Sequence, residues 1–73
     1  MIKLTCNEQL GKRIEYLRHQ RKWSQEELSF ESGVNKNYIS DLERGKRNPS
    51  LKVLSKISCA FSITLEELFK GIA

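Results

Sequence analysis

Residues 24–49, SQEELSFESGVNKNYISDLERGKRNP, constrain this chain more than any other stretch. Ser24 with Glu27 has the pattern of a capping box, in which a hydroxyl accepts from the third helical amide and the glutamate reaches back to the cap's own amide. Gly33 suits the left-handed residue that ends a helix, and Val34 the apolar contact that follows such an end. Asn35 then caps a second helix, while Gly45 and Pro49 punctuate its finish. The result is two short helices joined at a glycine corner, each with an apolar side that the rest of the chain must cover.

The flanking segments supply that cover. A helix starts at Thr5 or Asn7, after a short arm from Met1 to Cys6, and carries Leu10, Ile14 and Leu17 at the i, i+4, i+7 spacing of one buried stripe. It ends near Arg21 or Lys22, with Trp23 packed at the corner. In the two central helices Leu28, Ile39 and Leu42 face inward, and Phe30 fits neither side cleanly. Ser50 caps a fourth helix rich in Leu51, Val53, Leu54, Ile57, Ala60 and Phe61, and Cys59 reads there as a small core hydrophobe. Thr64 with Glu67 opens a short final helix bearing Leu65, Leu68 and Phe69. No stretch alternates with period two, so the expectation is an all-α bundle of five helices in a single domain spanning 1–73, with a helix-turn-helix at residues 24–49.

Seventy-three residues leave room for one core and one surface function. The net charge of +4 is concentrated: from Lys36 to Lys56 six cations accompany only Asp41 and Glu43, so this third of the chain carries as much excess charge as the whole. Such a patch beside an exposed helix points to a polyanionic partner. The two cysteines, Cys6 and Cys59, form neither a disulfide framework nor a metal cluster, and His19 has no partner at metal or nucleophile spacing. Glu66 and Glu67 diverge by about 100 degrees on a helix, which argues against an acid/base pair. The expectation is no enzyme activity, no metal, no cofactor and no small-molecule ligand. The chain shows neither a signal peptide nor a membrane span, so no membrane partner and a cytoplasmic location are expected.

Read together, Ser24-Gln25-x-x-Leu28, Gly33-Val34, Tyr38-Ile39-Ser40-x-x-Glu43-Arg44-Gly45-x-Arg47-x-Pro49-Ser50 and Leu65-x-x-Leu68-Phe69 resemble the lambda-repressor-like helix-turn-helix family of the Xre and Cro/C1 type. The match runs from about Leu10 to Phe69. It implies a five-helix bundle that binds operator DNA as a homodimer. Asn-Tyr-Ile-Ser followed by Asp-Leu-Glu-Arg is further similar to controller proteins of restriction-modification systems. Ser29 stands where the family usually has alanine; its hydroxyl can return to a backbone carbonyl at a small stability cost.

The resemblance assigns roles by position. Lys36, Asn37, Tyr38, Ser40 and Asp41 fall on the exposed face of the third helix, where base edges are read in the major groove. Tyr38 serves there or in the core. Asp41 either accepts from a cytosine amino group or orients Lys36 or Arg44. Gln25, Arg44, Lys46, Arg47, Asn48 and Ser50 hold backbone phosphates, although Lys46 and Arg47 also read as a solvated turn. Lys12, Arg13, Arg21 and Lys22 read as ordinary helix surface, and Lys52 and Lys56 stand between surface and clamp. Arg18 and Glu43 form a buried ion pair that sets the angle between helices. Ile63, Leu65, Phe69 and Ile72 are core or dimer surface, and part of this set is assigned to the dimer because so short a last helix cannot bury all of it. The expected function is a sequence-specific transcriptional regulator on a pseudo-palindromic operator. An antitoxin or phage or plasmid repressor, or a protein-protein adaptor on the same fold, is the alternative.

Overall fold

The computed structural model describes residues 4–72, so Met1, Ile2 and Lys3 of the expected arm lie outside the described residues. All regular structure among them is helical: α1 (Cys6–Gln20), α2 (Gln25–Ser32), α3 (Lys36–Glu43), α4 (Leu51–Ala60) and α5 (Leu65–Leu68). The expected all-α, five-helix arrangement is what forms. Helix α3 packs on α1 and α2, α4 packs on α2, and α5 closes on α4. Ile14, Leu28, Ile39, Leu42, Ile57, Phe61 and Leu68 are fully buried where these helices meet.

Each helix begins at the expected kind of residue. Ser24 accepts from the Glu27 amide while Glu27 returns to Ser24, a complete capping box. Thr5, rather than Asn7, caps α1, because Glu8 three residues on completes the same reciprocal pair. Asn35, Ser50 and Thr64 cap α3, α4 and α5. At the corner between α2 and α3, Gly33 adopts φ 73°, the left-handed conformation expected of it. Serine does the polar work around that corner. The Ser29 hydroxyl donates to the Val34 carbonyl at 2.6 Å, and the buried Ser32 hydroxyl donates to the Leu28 carbonyl while accepting from the Val34 amide. Serine in place of alanine at position 29 therefore staples the turn across its own ends.

Several expectations fail, each for a geometric reason. Cys59 is exposed, because the buried stripe of α4 runs through Leu54, Ile57, Ser58 and Phe61, and the next position lies about 100 degrees away. Ser58 occupies the buried place and donates to the Ser55 carbonyl at 3.0 Å. Leu51 sits in the first turn of α4, beyond the edge of the core, and stays 67% exposed. Phe30, ambiguous by pattern, points away from the core and is 86% exposed. Arg13 and Arg21 are inter-helix ties rather than ordinary surface. Arg13 donates to the Glu67 carbonyl at the end of α5 at 2.9 Å. Arg21 donates to the Phe61 carbonyl and lies over the rings of Phe61 and Trp23, which stack with centroids 5.7 Å apart. Its charge thus faces the carbonyl end of α4, where a cation is favoured.

Candidate nucleic-acid interface

The site is organised by a carboxylate that never reaches the surface. Glu43, at the end of α3, accepts from Arg18 of α1 twice, Nε to Oε2 at 2.8 Å and Nη2 to Oε1 at 3.0 Å. The two side chains are only 11% and 3% exposed. Arg18 also donates through Nη1 to the Trp23 carbonyl at 2.8 Å, and this planar fork of donors is something lysine cannot reproduce. Hydrogen bonding to Glu43 raises the Arg18 guanidinium above its ordinary value. Glu43 has one further partner: Oε1 accepts from Nε2 of Gln25 at 3.1 Å. A single buried carboxylate thus ties α1, the start of α2 and the end of α3 together, and it fixes the side chain of the first residue of α2.

Helix α3 presents its other side outward. Ile39 and Leu42 take the buried face, so Lys36, Asn37 and Arg44 project to solvent, with Ser40 and Asp41 half-buried along the same outer surface. Asn35 caps the helix by accepting from the Asn37 amide at 2.8 Å, which sets Lys36 and Asn37 in the first turn. Lys36 and Gln25 line one shallow cleft with Ser24 and Glu26, and Lys36 Nζ lies 3.5 Å from Glu26 Oε1. Both groups of that pair are largely exposed, so it holds Lys36 loosely. Tyr38 is half-buried, packed against the core, with the Arg47 guanidinium 4.6 Å from its ring centroid.

Asp41 is engaged twice over. Its Oδ1 accepts from Arg44 Nη2 at 2.8 Å, and its Oδ2 lies 3.5 Å from Arg47 Nε. The hydrogen bond from Arg44, with the charges of Arg44 and Arg47, holds the carboxyl below the usual aspartate range. Of the two restraining partners expected for Asp41, Arg44 is the one it holds; Lys36 turns to Glu26 instead. The Arg47 contact was not foreseen, since it crosses from a helix to a loop and no fixed spacing announces it. The loop itself is held by backbone bonds, with the Lys46 amide donating to the Asp41 carbonyl at 2.8 Å. Lys46, Arg47, Asn48 and Ser50 are all exposed beside the start of α4, whose first amides have no helical acceptors.

Around α5, Ile63, Leu65 and Ile72 pack partly against the core, and Phe69 stays 37% exposed. All four lie in or beside α5. Among the described residues no group of His, Cys, Asp and Glu could hold a metal ion, and no helix is long and apolar enough to cross a membrane.

An exposed helix held at a glycine corner, braced by a buried ion pair and continued by a basic loop, defines a helix-turn-helix protein. The chain belongs to the helix-turn-helix family HTH_3, whose model matches residues 14–68. It is 41% identical over 63 residues to the control protein C.MunI of a Mycoplasma species, spanning 85% of this chain and 85% of that protein. It is also 41% identical over 61 residues to the HTH-type transcriptional regulator SlrR of Bacillus subtilis, spanning 82% of this chain but only 40% of SlrR. Among solved structures, the restriction-modification controller protein C.AhdI from Aeromonas hydrophila superposes with a TM-score of 0.82 at 40% identity, covering 85% of this chain and 94% of that one.

Proposed function

We propose that this chain is a sequence-specific DNA-binding transcriptional regulator that inserts α3 into the major groove and acts as a homodimer on a pseudo-palindromic operator. The observation that carries this reading is the outer side of α3, where Lys36 and Asn37 stand free of the core at the first turn of a helix whose inner side is fully buried. Only the major groove distinguishes all four base pairs, and it admits a helix presented in this way. Lys36 donates to guanine O6 or N7, Asn37 pairs with adenine, and Tyr38 and Ser40 supply a ring edge and a hydroxyl. Gln25, held by Glu43, and Arg44, Lys46, Arg47, Asn48 and Ser50 grip the backbone on either side.

The names of the relatives support regulation as the purpose of that binding: C.MunI is a control protein, SlrR a transcriptional regulator, and C.AhdI a restriction-modification controller. By the same likeness, control of a restriction-modification operon, including the chain's own gene, is the circuit we favour. The protein acts in the cytoplasm, without catalysis and without a cofactor. Two-fold symmetry places half-sites about one helical turn apart, roughly 34 to 36 Å, and the α5 edge with Ile63, Leu65, Phe69 and Ile72 supplies the dimer contact.

Selection of bound duplexes from a random pool, followed by gel shifts across a salt series, tests the reading. An enriched palindrome and a steep salt slope are expected; no enrichment with a slope near zero would overturn it. Sedimentation of Phe69→Ala and Leu65→Ala tests the dimer surface, and unchanged association would move it elsewhere.

A further inference from the structure

Asp41 is the one acidic side chain pointing outward from α3, on a surface otherwise supplied with cations and amides. A carboxylate there repels phosphate, so its presence calls for a physical account. Its two oxygens are divided between two guanidiniums, Arg44 at 2.8 Å on Oδ1 and Arg47 at 3.5 Å on Oδ2. Arg47 is in turn stacked on Tyr38, 4.6 Å from the ring centroid, so the four side chains form one chain of contacts from helix to loop. A backbone phosphate would offer these arginines the same thing: paired anionic oxygens accepting charge-assisted hydrogen bonds. Lys36 belongs to a different pair, with Glu26, and shares no ion pair with this cluster.

We propose that Asp41 is an internal competitor for backbone phosphate: it occupies Arg44 and Arg47 in the free protein and sets how tightly the clamp holds any polyanion. The proposal rests on the DNA-binding reading for its purpose, but the competition itself belongs to the free chain. To grip DNA, both arginines must leave the carboxylate, or the carboxylate must stay beside the phosphate it repels. Either cost is the same for every duplex, because phosphates carry no sequence. Asp41 therefore lowers all affinities by one factor and leaves the preference for the operator, set by Lys36 and Asn37, unchanged. A base-reading aspartate behaves oppositely, since its loss weakens the operator alone.

The test compares native protein, Asp41→Asn and Glu31→Gln, the last carrying the same charge change at an exposed residue of α2 outside the interface. Binding is measured on the selected operator, on a scrambled duplex of equal length and on a heparin column. For Asp41→Asn we expect threefold to tenfold tighter binding to both duplexes, in keeping with the modest strength of exposed ion pairs. The salt slope should steepen by at most roughly 0.9, the effect of the one negative charge removed, because both arginines reach phosphate in either protein, and elution from heparin should require more salt. Glu31→Gln should change each by less than twofold. Weaker binding confined to the operator, no change on heparin, or an equal gain from Glu31→Gln would each overturn the proposal. If the native chain binds heparin but shows no duplex preference, the DNA-reading assignment fails while the heparin arm still decides the role of Asp41. Carbon NMR of the Asp41 carboxyl in the native protein needs no variant: adding heparin should raise its pKa toward the ordinary value as the guanidiniums leave, and an unmoved titration would overturn the competition.

Discussion

Gly11 of α1 lies directly against the backbone of Leu42 in α3: a β-carbon at Gly11 would overlap the Leu42 carbonyl oxygen and fall 2.6 Å from that of Glu43. The atoms in the way are backbone, which cannot swing aside as a side chain would. Alanine normally favours a helix over glycine by about 1 kcal/mol, yet here it must push α1 off α3. Overpacking of this kind costs about 1 to 3 kcal/mol. Gly11→Ala should therefore lower stability by up to about 2 kcal/mol net, read as a fall in the urea midpoint. A stability gain would mean that the two helices separate without cost.

The ion pair just above that contact makes a second prediction. With both groups buried and Arg18 also bonded to the Trp23 carbonyl, removing one partner strands the other. Arg18→Ala or Glu43→Ala should each cost about 3 to 5 kcal/mol. Arg18→Lys should recover little of that, since a single ammonium cannot serve two carboxylate oxygens and a carbonyl at once. Replacing both by apolar residues, Arg18→Met with Glu43→Leu, should restore much of the stability while freeing Gln25 from its acceptor. Denaturant unfolding of these four variants decides it, together with the double variant Arg18→Ala with Glu43→Ala that closes the cycle; additivity of the two alanine losses in that double would count against direct coupling.

What was legible in advance divides along physical lines. The Ser24 capping box, the Gly33 corner and the stripe through Leu10, Ile14 and Leu17 depend on neighbours within a turn or two, so spacing alone exposes them. Arg18 with Glu43 came only through family resemblance, because nothing local links residues 25 positions apart. The reason for Gly11 lies in α3, whose backbone leaves no room for a β-carbon. Arg13 and Arg21 read as surface because their acceptors are backbone carbonyls of distant helices, and backbone carries no signature in a residue pattern. Asp41 is open between two roles in the sequence, and only one of its two arginine neighbours, Arg44 at i+3, follows from spacing; Arg47 is placed by the loop.

Two helix ends give a third prediction. Lys22 and Ser62 hold φ of 57° and 55°, each just beyond the last residues of α1 and α4, where glycine would be the unstrained choice. The backbone closes both ends the same way, with the Trp23 amide donating to the Arg18 carbonyl and the Ile63 amide to that of Ser58. A side chain in this region costs about 1 to 2 kcal/mol, partly offset by the extra freedom glycine has when unfolded. Lys22→Gly and Ser62→Gly should each gain about 0.5 to 1 kcal/mol, seen as a raised melting temperature. A loss at either position would show that its side chain does more than tolerate the turn.

The Asp41 cluster also makes stability depend on pH. Because Arg44 and Arg47 hold the folded carboxyl below its ordinary value of 3.8, the charged form is favoured by folding. A depressed carboxyl contributes fully above its unfolded value and loses that contribution as pH falls through the folded one. The difference in melting temperature between native protein and Asp41→Asn should thus be constant from neutral pH down to about 5 and shift against the native protein below about 4. A difference that does not change with pH would mean that the carboxyl gains nothing from its two arginines.

Substitutions at Lys36 and Arg47 test the proposed division between reading and holding. Lys36 sits in the first turn of α3 and pairs only loosely with Glu26, so its ammonium is available to a base edge. Arg47 lies in the loop, tied to Tyr38 and Asp41. On the selected operator, Lys36→Ala should relax the preference at one position per half-site, a loss of about 1 to 3 kcal/mol of discrimination. Arg47→Ala should weaken operator and scrambled duplex alike and flatten the salt slope by roughly 0.9. Gel shifts on single-base variants of the operator measure both. Equal, sequence-independent losses from the two substitutions would show that Lys36 holds a phosphate as Arg47 does, and base reading would then fall to Asn37 and its neighbours on the same face.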